Sequence, residues 1–97
     1  PLSRYPFVER DVSILVARSS THADITAAIQ KSGAKFIQQV RVFDVYQGKG
    51  IAPEQKSVAY SIRYGNNERT LLDNEIQADH ELVLKALVSN CGAELRT

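Results

Sequence analysis

Four side chains of this sequence could together hold the base of an unpaired nucleotide. Asp44 and Tyr46 are two residues apart, and two serines, Ser13 and Ser57, lie in other segments that alternate polar and apolar residues. An aromatic ring can stack on an unpaired base, and a carboxylate can accept hydrogen bonds from its amino and imino groups. A small residue such as Ser13 opposite the ring would leave a slot as thick as one base. The spacing alone leaves a second interpretation open, a solvated sheet surface with an isolated tyrosine.

The cations of the chain offer contacts to phosphate but no strongly basic surface. The candidates are Lys49, Lys56 and Arg63. Arg69 could also meet phosphate, or it could pin its own loop to the body of the protein. The formal net charge is +1, from 12 basic and 11 acidic residues. Any RNA contact must therefore come from a local arrangement of residues and not from bulk charge.

Three segments are predicted to be strands, and a short fourth strand follows near the end of the chain. Residues 11–17 and 57–64 alternate apolar and other side chains, which is typical of strands with one buried face. Residues 36–46 form a long strand whose alternation fails near residues 40–42, which indicates a bulge or a bend. Residues 93–96 are long enough for a short last strand.

Two helices are predicted between these strands. Thr21 is a good N-cap, and Asp24 three residues later completes the pattern of a capping box. Gly33 is the expected C-terminal stop of this first helix. The second helix is expected to begin at Asp73 and to run to about Asn90.

The element order β-α-β-β-α-β predicts an α+β fold, the ferredoxin-like sandwich. We expect a four-stranded antiparallel sheet with both helices on one face. The first and third strands are then central, and the second strand lies beside the third. Residues out of phase with the core lie on the open face, where Ser13, Asp44, Tyr46 and Ser57 can form one cluster.

Length and composition fit a single domain over residues 1–97. Hydrophobic residues make up 43% and charged residues 24%, which is ordinary for globular proteins and excludes a disordered chain. The longest apolar run, 14–17, is far too short to span a membrane. The chain contains no methionine, even at position 1, which favours a domain cut from a longer protein over removal of an initiator methionine. Pro1 and Pro6 favour an extended lead-in over residues 1–8.

No pattern for catalysis or for metal binding is visible. Gly48-Lys-Gly50 is too short for a P-loop, and the one cysteine, Cys91, excludes an internal disulfide and a Cys-based zinc site. Small enzymes of the acylphosphatase type share the fold, but the loop 18–21 lacks the glycine of their phosphate site. His80 is expected to pack on the apolar stripe of its helix, and His22 to be solvated. We therefore expect the chain alone to be non-catalytic and to need no cofactor and no metal.

Several short segments occur in a characteristic order across nearly the whole chain. They are Tyr5-Pro6, Arg10-Asp-Val12, Val42-Phe-Asp-Val-Tyr46, Gly48-Lys-Gly50, Lys56-Ser-Val-Ala-Tyr60, Glu68-Arg-Thr-Leu71 and Gly92-Ala-Glu-Leu-Arg96. Any one of them alone would be a weak signal. As a set, they resemble the C-terminal anticodon-binding domain of the phenylalanyl-tRNA synthetase β subunit.

The resemblance implies both a fold and an RNA partner. The family has the ferredoxin-like fold, in agreement with the element order, and binds the anticodon of phenylalanine tRNA. The positions of Asp44, Tyr46 and Ser57 contact the first anticodon base, a guanine, and the position of Ser13 packs on the other side of that base. The resemblance further implies a bacterial-type phenylalanine–tRNA ligase in the cytoplasm, an α2β2 assembly with no membrane association. Its α subunit carries the catalytic centre, which uses ATP and magnesium.

The sequence departs from the family pattern at three positions. Ser13 stands where alanine is frequent, which leaves the slot intact, and Gln47 stands where arginine is common, which removes one cation. Leu72 replaces a frequent threonine, so Asp73 is expected to cap the second helix. The alternative function is a ferredoxin-like small-molecule or protein interaction module, which would predict an apolar open face.

Overall fold

The computed structural model of the chain describes residues 6–96. Its elements are β1 (Val8–Ala17), α1 (His22–Gln30), β2 (Ile37–Tyr46), β3 (Gln55–Tyr64), α2 (Asp73–Cys91) and β4 (Glu94–Leu95). This order confirms the prediction, although β1 begins earlier than expected and takes in part of the predicted lead-in. Pro1 and Tyr5, which entered the sequence argument, lie outside the described residues.

The four strands form one antiparallel sheet in the order β2-β3-β1-β4. The central positions of β1 and β3 and the place of β2 beside β3 are as predicted. The short strand β4 pairs with β1 through Ile14 opposite Leu95 and Leu15 opposite Glu94. The chain therefore has a ferredoxin-like α+β fold, with β2 and β4 as the edge strands.

Strand β2 carries the predicted irregularity, but on either side of residues 40–42 and not within them. Its register with β3 shifts between Ile37 and Gln39 and again between Val42 and Asp44. At the second shift Phe43 is the extra residue, so that the alternation of faces moves by one position. Val42 and Val45 consequently lie opposite core residues of β3, whereas Asp44 lies opposite a residue of the other face.

The hydrophobic core lies between the helices and one face of the sheet. Alternate side chains of β1 and β3 enter it, as expected for strands with one buried face, and both helices contribute an apolar stripe. Its most buried side chains are Val12, Ile14, Val16, Ile25, Ile29, Val58, Tyr60, Ile62, Tyr64, Ile76, Val83 and Leu87. No helix within residues 6–96 has the length and apolar character needed to cross a membrane.

The start of α1 has the predicted capping box. The Asp24 backbone N–H donates to Thr21 Oγ1 at 3.0 Å, and the Thr21 backbone N–H donates to Asp24 Oδ2 at 3.0 Å. These two bonds satisfy groups that the first turn of a helix leaves unpaired. The helix ends at Gln30, before the predicted end, and Gly33 follows with a φ of 89°.

The prediction that Asp73 caps α2 is wrong. Asp73 is the first residue of the helix, and the capping position belongs to Leu72, whose side chain has no acceptor. The Leu72 backbone N–H instead donates to Glu75 Oε1 at 2.9 Å. Glu75 therefore supplies the acceptor from inside the helix, where an acidic side chain also interacts favourably with the helix dipole.

Both histidines contact tyrosines of β3. His80 is buried, as predicted, and its Nδ1 lies 2.8 Å from the Tyr64 hydroxyl. His22 was expected to be solvated, and it is exposed, but one face of its ring stacks on Tyr60 at a centroid distance of 5.7 Å. Its Nδ1 lies 3.1 Å from the Tyr60 hydroxyl. Burial raises the pKa of Tyr60 to about 12, so this phenol remains protonated at neutral pH.

Candidate nucleic-acid interface

The open face of the sheet, the face that the helices do not cover, brings the four predicted base-binding residues together. Side chains on paired residues of neighbouring strands share a face and lie side by side. Two adjacent rows result, which we name after their members on β2. The Asp44 row is Ser13, Ala59 and Asp44, and the Tyr46 row is Leu15, Ser57 and Tyr46.

The Asp44 row presents a free carboxylate beside small residues. Asp44 is exposed on the edge strand β2, and within residues 6–96 its carboxylate has no hydrogen bond or ion pair. Ala59 and Ser13 continue the row across β3 and β1. Ala59 lies between Ser13 and Asp44, whose strands β1 and β2 are two strand spacings, about 10 Å, apart.

The Tyr46 row places an aromatic ring at the end of β2, next to a turn that depends on glycine. The ring is 44% exposed, and its hydroxyl donates to the Lys49 carbonyl at 2.9 Å. Gly48 and Gly50 have φ values of 129° and 89°, which other residues rarely adopt. The Ile51 backbone N–H closes the turn by donating to the Gly48 carbonyl at 2.9 Å. The turn thus fixes the hydroxyl end of the ring and leaves the ring accessible.

Ser57 is held by an arginine that the sequence argument did not include among the site residues. Arg96 Nη1 donates to Ser57 Oγ at 2.9 Å, and the Arg96 backbone N–H donates to the Ser13 carbonyl at 2.8 Å. Ser57 is buried, with 7% of its surface exposed. Its Oγ accepts the bond from Arg96, which leaves its hydroxyl hydrogen to donate to another acceptor. Arg96 lies in the segment 92–96 that carries part of the family resemblance, so a signal for it was present.

The three lysine and arginine candidates lie in different places. Lys49 is exposed in the turn after Tyr46. Lys56 pairs with Val16, a core residue, so it faces the helical side and not the open face. There it contributes, after hydrogen bonds from Thr21, to lowering the pKa of Asp24. The structure therefore does not bring Lys56 into the cluster.

Arg63 lies on the open face but has protein partners. Its Nη2 is 3.7 Å from Glu9 Oε2, and its guanidinium lies 4.0 Å from the centre of the Phe7 ring. It is opposite Glu9, two rows from Asp44. A guanidinium stacked on a ring and paired with a carboxylate is less available for phosphate than a free one.

Arg69 pins its loop to α2. Two of its nitrogens donate to the two carboxylate oxygens of Glu75 at 2.8 and 2.6 Å. Together with the bond from Leu72, this pair lowers the pKa of Glu75 to about 2, with the Arg69 hydrogen bonds the larger cause. Of the two roles that the sequence left open, the geometry favours the structural one.

The residues of the interface are suited to binding an unpaired base. Within residues 6–96 no group of three or more His, Cys, Asp or Glu side chains is placed to hold a metal ion. The open face instead combines a free carboxylate, an exposed ring, and a hydroxyl held by a guanidinium. The carboxylate can accept hydrogen bonds, the ring can stack, and the hydroxyl can donate a hydrogen bond. These are the interactions that recognise an unpaired base.

Comparisons with known proteins identify the family of the chain. Residues 3–96 match the model of the ferredoxin-fold anticodon binding domain family. The chain is 42% identical to the phenylalanine–tRNA ligase beta subunit of Syntrophotalea carbinolica over 95 residues, which covers 98% of this chain and 12% of that protein.

Two further relatives carry the same name. The phenylalanine–tRNA ligase beta subunit of Streptococcus agalactiae serotype Ia is 41% identical, with 98% of this chain and 12% of that protein covered. That of Salinibacter ruber is 41% identical, with 99% and 11% covered. The chain thus spans about an eighth of the length of these relatives. From the match over residues 3–96 and from these identities, the chain belongs to the ferredoxin-fold anticodon-binding domain family.

Proposed function

We propose that this chain binds the anticodon of phenylalanine tRNA, as the anticodon-binding domain of the β subunit of a phenylalanine–tRNA ligase. The observation that carries the proposal is the position of Ser13, Asp44, Tyr46 and Ser57 in two adjacent rows of one open face. Family membership and the names of the relatives support the choice of RNA.

The polar groups of the cluster complement guanine. The Watson–Crick edge of guanine has amino and imino hydrogens, which the free carboxylate of Asp44 can accept, and an oxygen, O6, which needs a donor. The Ser57 hydroxyl, held by Arg96, supplies a donor on the neighbouring row. Adenine has no imino hydrogen and has an amino group in place of O6. A base read in this way would therefore be guanine.

Tyr46 contributes the stacking surface. Its ring is accessible, and its hydroxyl is held by the Lys49 carbonyl, so little side-chain freedom is lost when a base stacks on it. Ser13 and Ala59 leave space beside the ring because neither has a large side chain. Stacking supplies affinity for any base, and the hydrogen bonds of Asp44 and Ser57 supply the preference for guanine.

The proposal assigns this domain a binding role within a larger enzyme. The complete ligase would join phenylalanine to its tRNA in the cytoplasm as an α2β2 assembly, with ATP and magnesium used at the α subunit. Among residues 6–96 no cluster of potential metal ligands is available for that chemistry. What these residues offer the reaction is the placement of the tRNA.

The alternative, a small-molecule or protein interaction module, is less well supported. It would predict an apolar open face, whereas the two rows of the cluster contain a free carboxylate and two serines. Leu15 and the Tyr46 ring are the larger apolar surfaces within those rows. A polar face with one accessible ring favours an unpaired nucleotide as the ligand.

The substitution Asp44→Asn tests the proposal in the complete ligase. It keeps the size of the side chain but replaces one acceptor with a donor and removes the charge, so it mismatches guanine. We expect the preference for a tRNA with guanine over adenine at the first anticodon position to fall by about 1–3 kcal/mol. Binding of both tRNAs would be measured at one salt concentration.

Asp73→Asn is the matched control. It makes the same chemical change at an exposed residue of α2, on the other side of the sheet, and should leave the preference unchanged. If Asp44→Asn weakens the binding of both tRNAs equally, Asp44 positions the RNA and does not read the base. If it changes neither affinity, the proposed site is wrong.

A further inference from the structure

A third row of the open face lies directly beside the Asp44 row. This Arg41 row consists of Asp11 on β1, Ser61 on β3 and Arg41 on β2, which pair across the sheet. Along the β1 and β3 strands it is two residues, about 7 Å, from the Asp44 row. It lies on the side of that row away from Tyr46, so the three rows form a continuous strip.

Arg41 differs from the other arginines within residues 6–96. Each of the others has a partner: Gln77 for Arg10, the Pro53 carbonyl for Arg18, Glu9 and Phe7 for Arg63, Glu75 for Arg69, and Ser57 for Arg96. Arg41 is exposed and has no hydrogen bond, ion pair or ring contact within the described residues. Its guanidinium is therefore free to bind a ligand.

Asp11, in the same row, does not neutralise Arg41. The two residues lie on β1 and β2, with Ser61 of β3 between them, so their backbones are about 10 Å apart. They form no ion pair within 4.0 Å among the described residues. The positive charge consequently lies at the β2 edge of the strip, and the Asp11 carboxylate lies at the opposite, β1 edge.

The chemistry of Arg41 suits a phosphate group. A guanidinium donates two parallel hydrogen bonds to a phosphate and remains charged at all relevant pH values. A nucleotide stacked in a helix advances about 3.4 Å per step, so an unstacked nucleotide can span the 7 Å between the rows. A base held on the Asp44 and Tyr46 rows would therefore place an adjoining phosphate within reach of Arg41.

We propose that Arg41 binds a backbone phosphate next to the nucleotide whose base lies on the Asp44 and Tyr46 rows. This inference rests on the proposed function. It gives Arg41 the role of a positioning residue, which fixes the RNA strand across the edge of the sheet and carries no sequence information. Two residues of β2 then have separate roles. Asp44 recognises the base, and Arg41, three residues earlier, binds the sugar–phosphate backbone of the RNA.

The test compares Arg41→Gln with the wild type in the complete ligase at salt concentrations between 50 and 200 mM. Loss of one phosphate contact to a single strand reduces the slope of log affinity against log salt by about 0.7. We expect roughly tenfold weaker binding at 50 mM salt. At 200 mM salt, the ratio of the wild-type affinity to the variant's affinity should be about 2.5-fold smaller than at 50 mM. The loss should be the same for tRNAs with guanine or adenine at the first anticodon position.

Two further variants make the result specific. Arg41→Lys keeps the charge and should keep the salt slope of the wild type, although it loses the planar fork. Lys85→Gln removes one positive charge from an exposed position of α2, on the helical side of the sheet. It should change neither the affinity nor the slope, which excludes an effect of net charge alone.

The outcomes separate this inference from the proposed function. An unchanged slope in Arg41→Gln overturns the phosphate contact, and a loss confined to one of the two tRNAs shows instead that Arg41 reads a base. Asp44→Asn is measured in parallel. If it reduces the guanine preference while Arg41→Gln behaves as the wild type, only the inference about Arg41 fails. If Asp44→Asn has no effect either, the proposed site on the Asp44 and Tyr46 rows is wrong, and the proposed function loses the observation that carries it.

Discussion

At the scale of single residues, Tyr46 has two contacts that can be separated by substitution. Its ring is accessible for stacking, and its hydroxyl donates to the Lys49 carbonyl. Tyr46→Ala removes both, and we expect it to weaken tRNA binding by about 1–3 kcal/mol, the range measured for one base stacked on an aromatic side chain. Tyr46→Phe removes only the hydrogen bond and should retain most of the affinity.

Binding of phenylalanine tRNA by the complete ligase, measured for both variants, decides between stacking and loop anchoring. If Tyr46→Phe loses as much affinity as Tyr46→Ala, the role of Tyr46 is to hold the turn around Gly48 and not to stack. Because the ring lies outside the core, the free energy of unfolding should change by less than about 0.5 kcal/mol in Tyr46→Phe.

The same scale shows that neighbours in the sequence are not always neighbours at the site. Lys56 precedes Ser57, but alternation along β3 sends their side chains to opposite faces. Arg96 is far from Ser57 in the sequence, and the pairing of β4 with β1 brings it there. The contact between Arg96 and Ser57 depends on the two-residue strand β4. This strand is too short to show alternation of polar and apolar residues in the sequence.

At the scale of elements, the alternation along β1 and β3 was sufficient to predict the sheet, but β2 needed the structure. With strict alternation, Arg41 and Asp44 would face opposite sides, since they are three residues apart. The bulge at Phe43 puts both opposite open-face residues of β3, Ser61 and Ala59. The sequence indicated that a bulge exists, but its position depends on pairing with β3, which a single strand does not specify.

The N-terminus of α2 gives a prediction at this scale. Hydrogen bonds from Arg69, and then the bond from the Leu72 backbone, hold the pKa of Glu75 at about 2, below its ordinary value of 4.5. A carboxyl whose pKa is lower in the folded state stabilises the fold at pH values above 4.5, and this contribution declines as the pH falls toward 2. Glu75→Gln should therefore unfold at a lower temperature than the wild type at neutral pH.

Thermal unfolding between pH 6 and pH 3 checks this prediction for Glu75. The difference in melting temperature between Glu75→Gln and the wild type should narrow as the pH is lowered. Glu54→Gln, at an exposed loop position, is the control and should show little difference at any pH. A Glu75 difference that stays constant down to pH 3 would mean that the ionised carboxylate is not what stabilises the helix start.

At the scale of the whole molecule, binding and stability are assigned to opposite faces of one sheet. The proposed contacts come from the open face, whereas Val58, Tyr60, Ile62 and Tyr64 of the same strand β3 face the helices. Substitutions at Asp44 or Arg41 should therefore change RNA binding without unfolding the chain. Substitutions on the other face should change stability first.

The buried pair of His80 and Tyr64 makes the helical side sensitive to acid. The Tyr64 hydroxyl can donate to Nδ1 of a neutral His80 at 2.8 Å. Burial, and then the charge of Arg10, lower the pKa of His80 below its ordinary value of 6.5. The unfolded chain therefore binds a proton at higher pH than the folded chain does. Folding stability should be fully retained above pH 6.5 and should fall as the pH is lowered from there.

Urea unfolding between pH 7.5 and pH 5 measures this dependence, because the chain has two histidines and other side chains rarely titrate in that range. In His80→Gln the decline of the unfolding free energy with falling pH should largely disappear, even if the variant is less stable throughout. His22→Gln is the matched control, because His22 is exposed, although its ring stacks on the buried Tyr60, and it should retain the decline. If removing His22 abolishes the decline and removing His80 does not, the buried pair is not the source of the acid sensitivity.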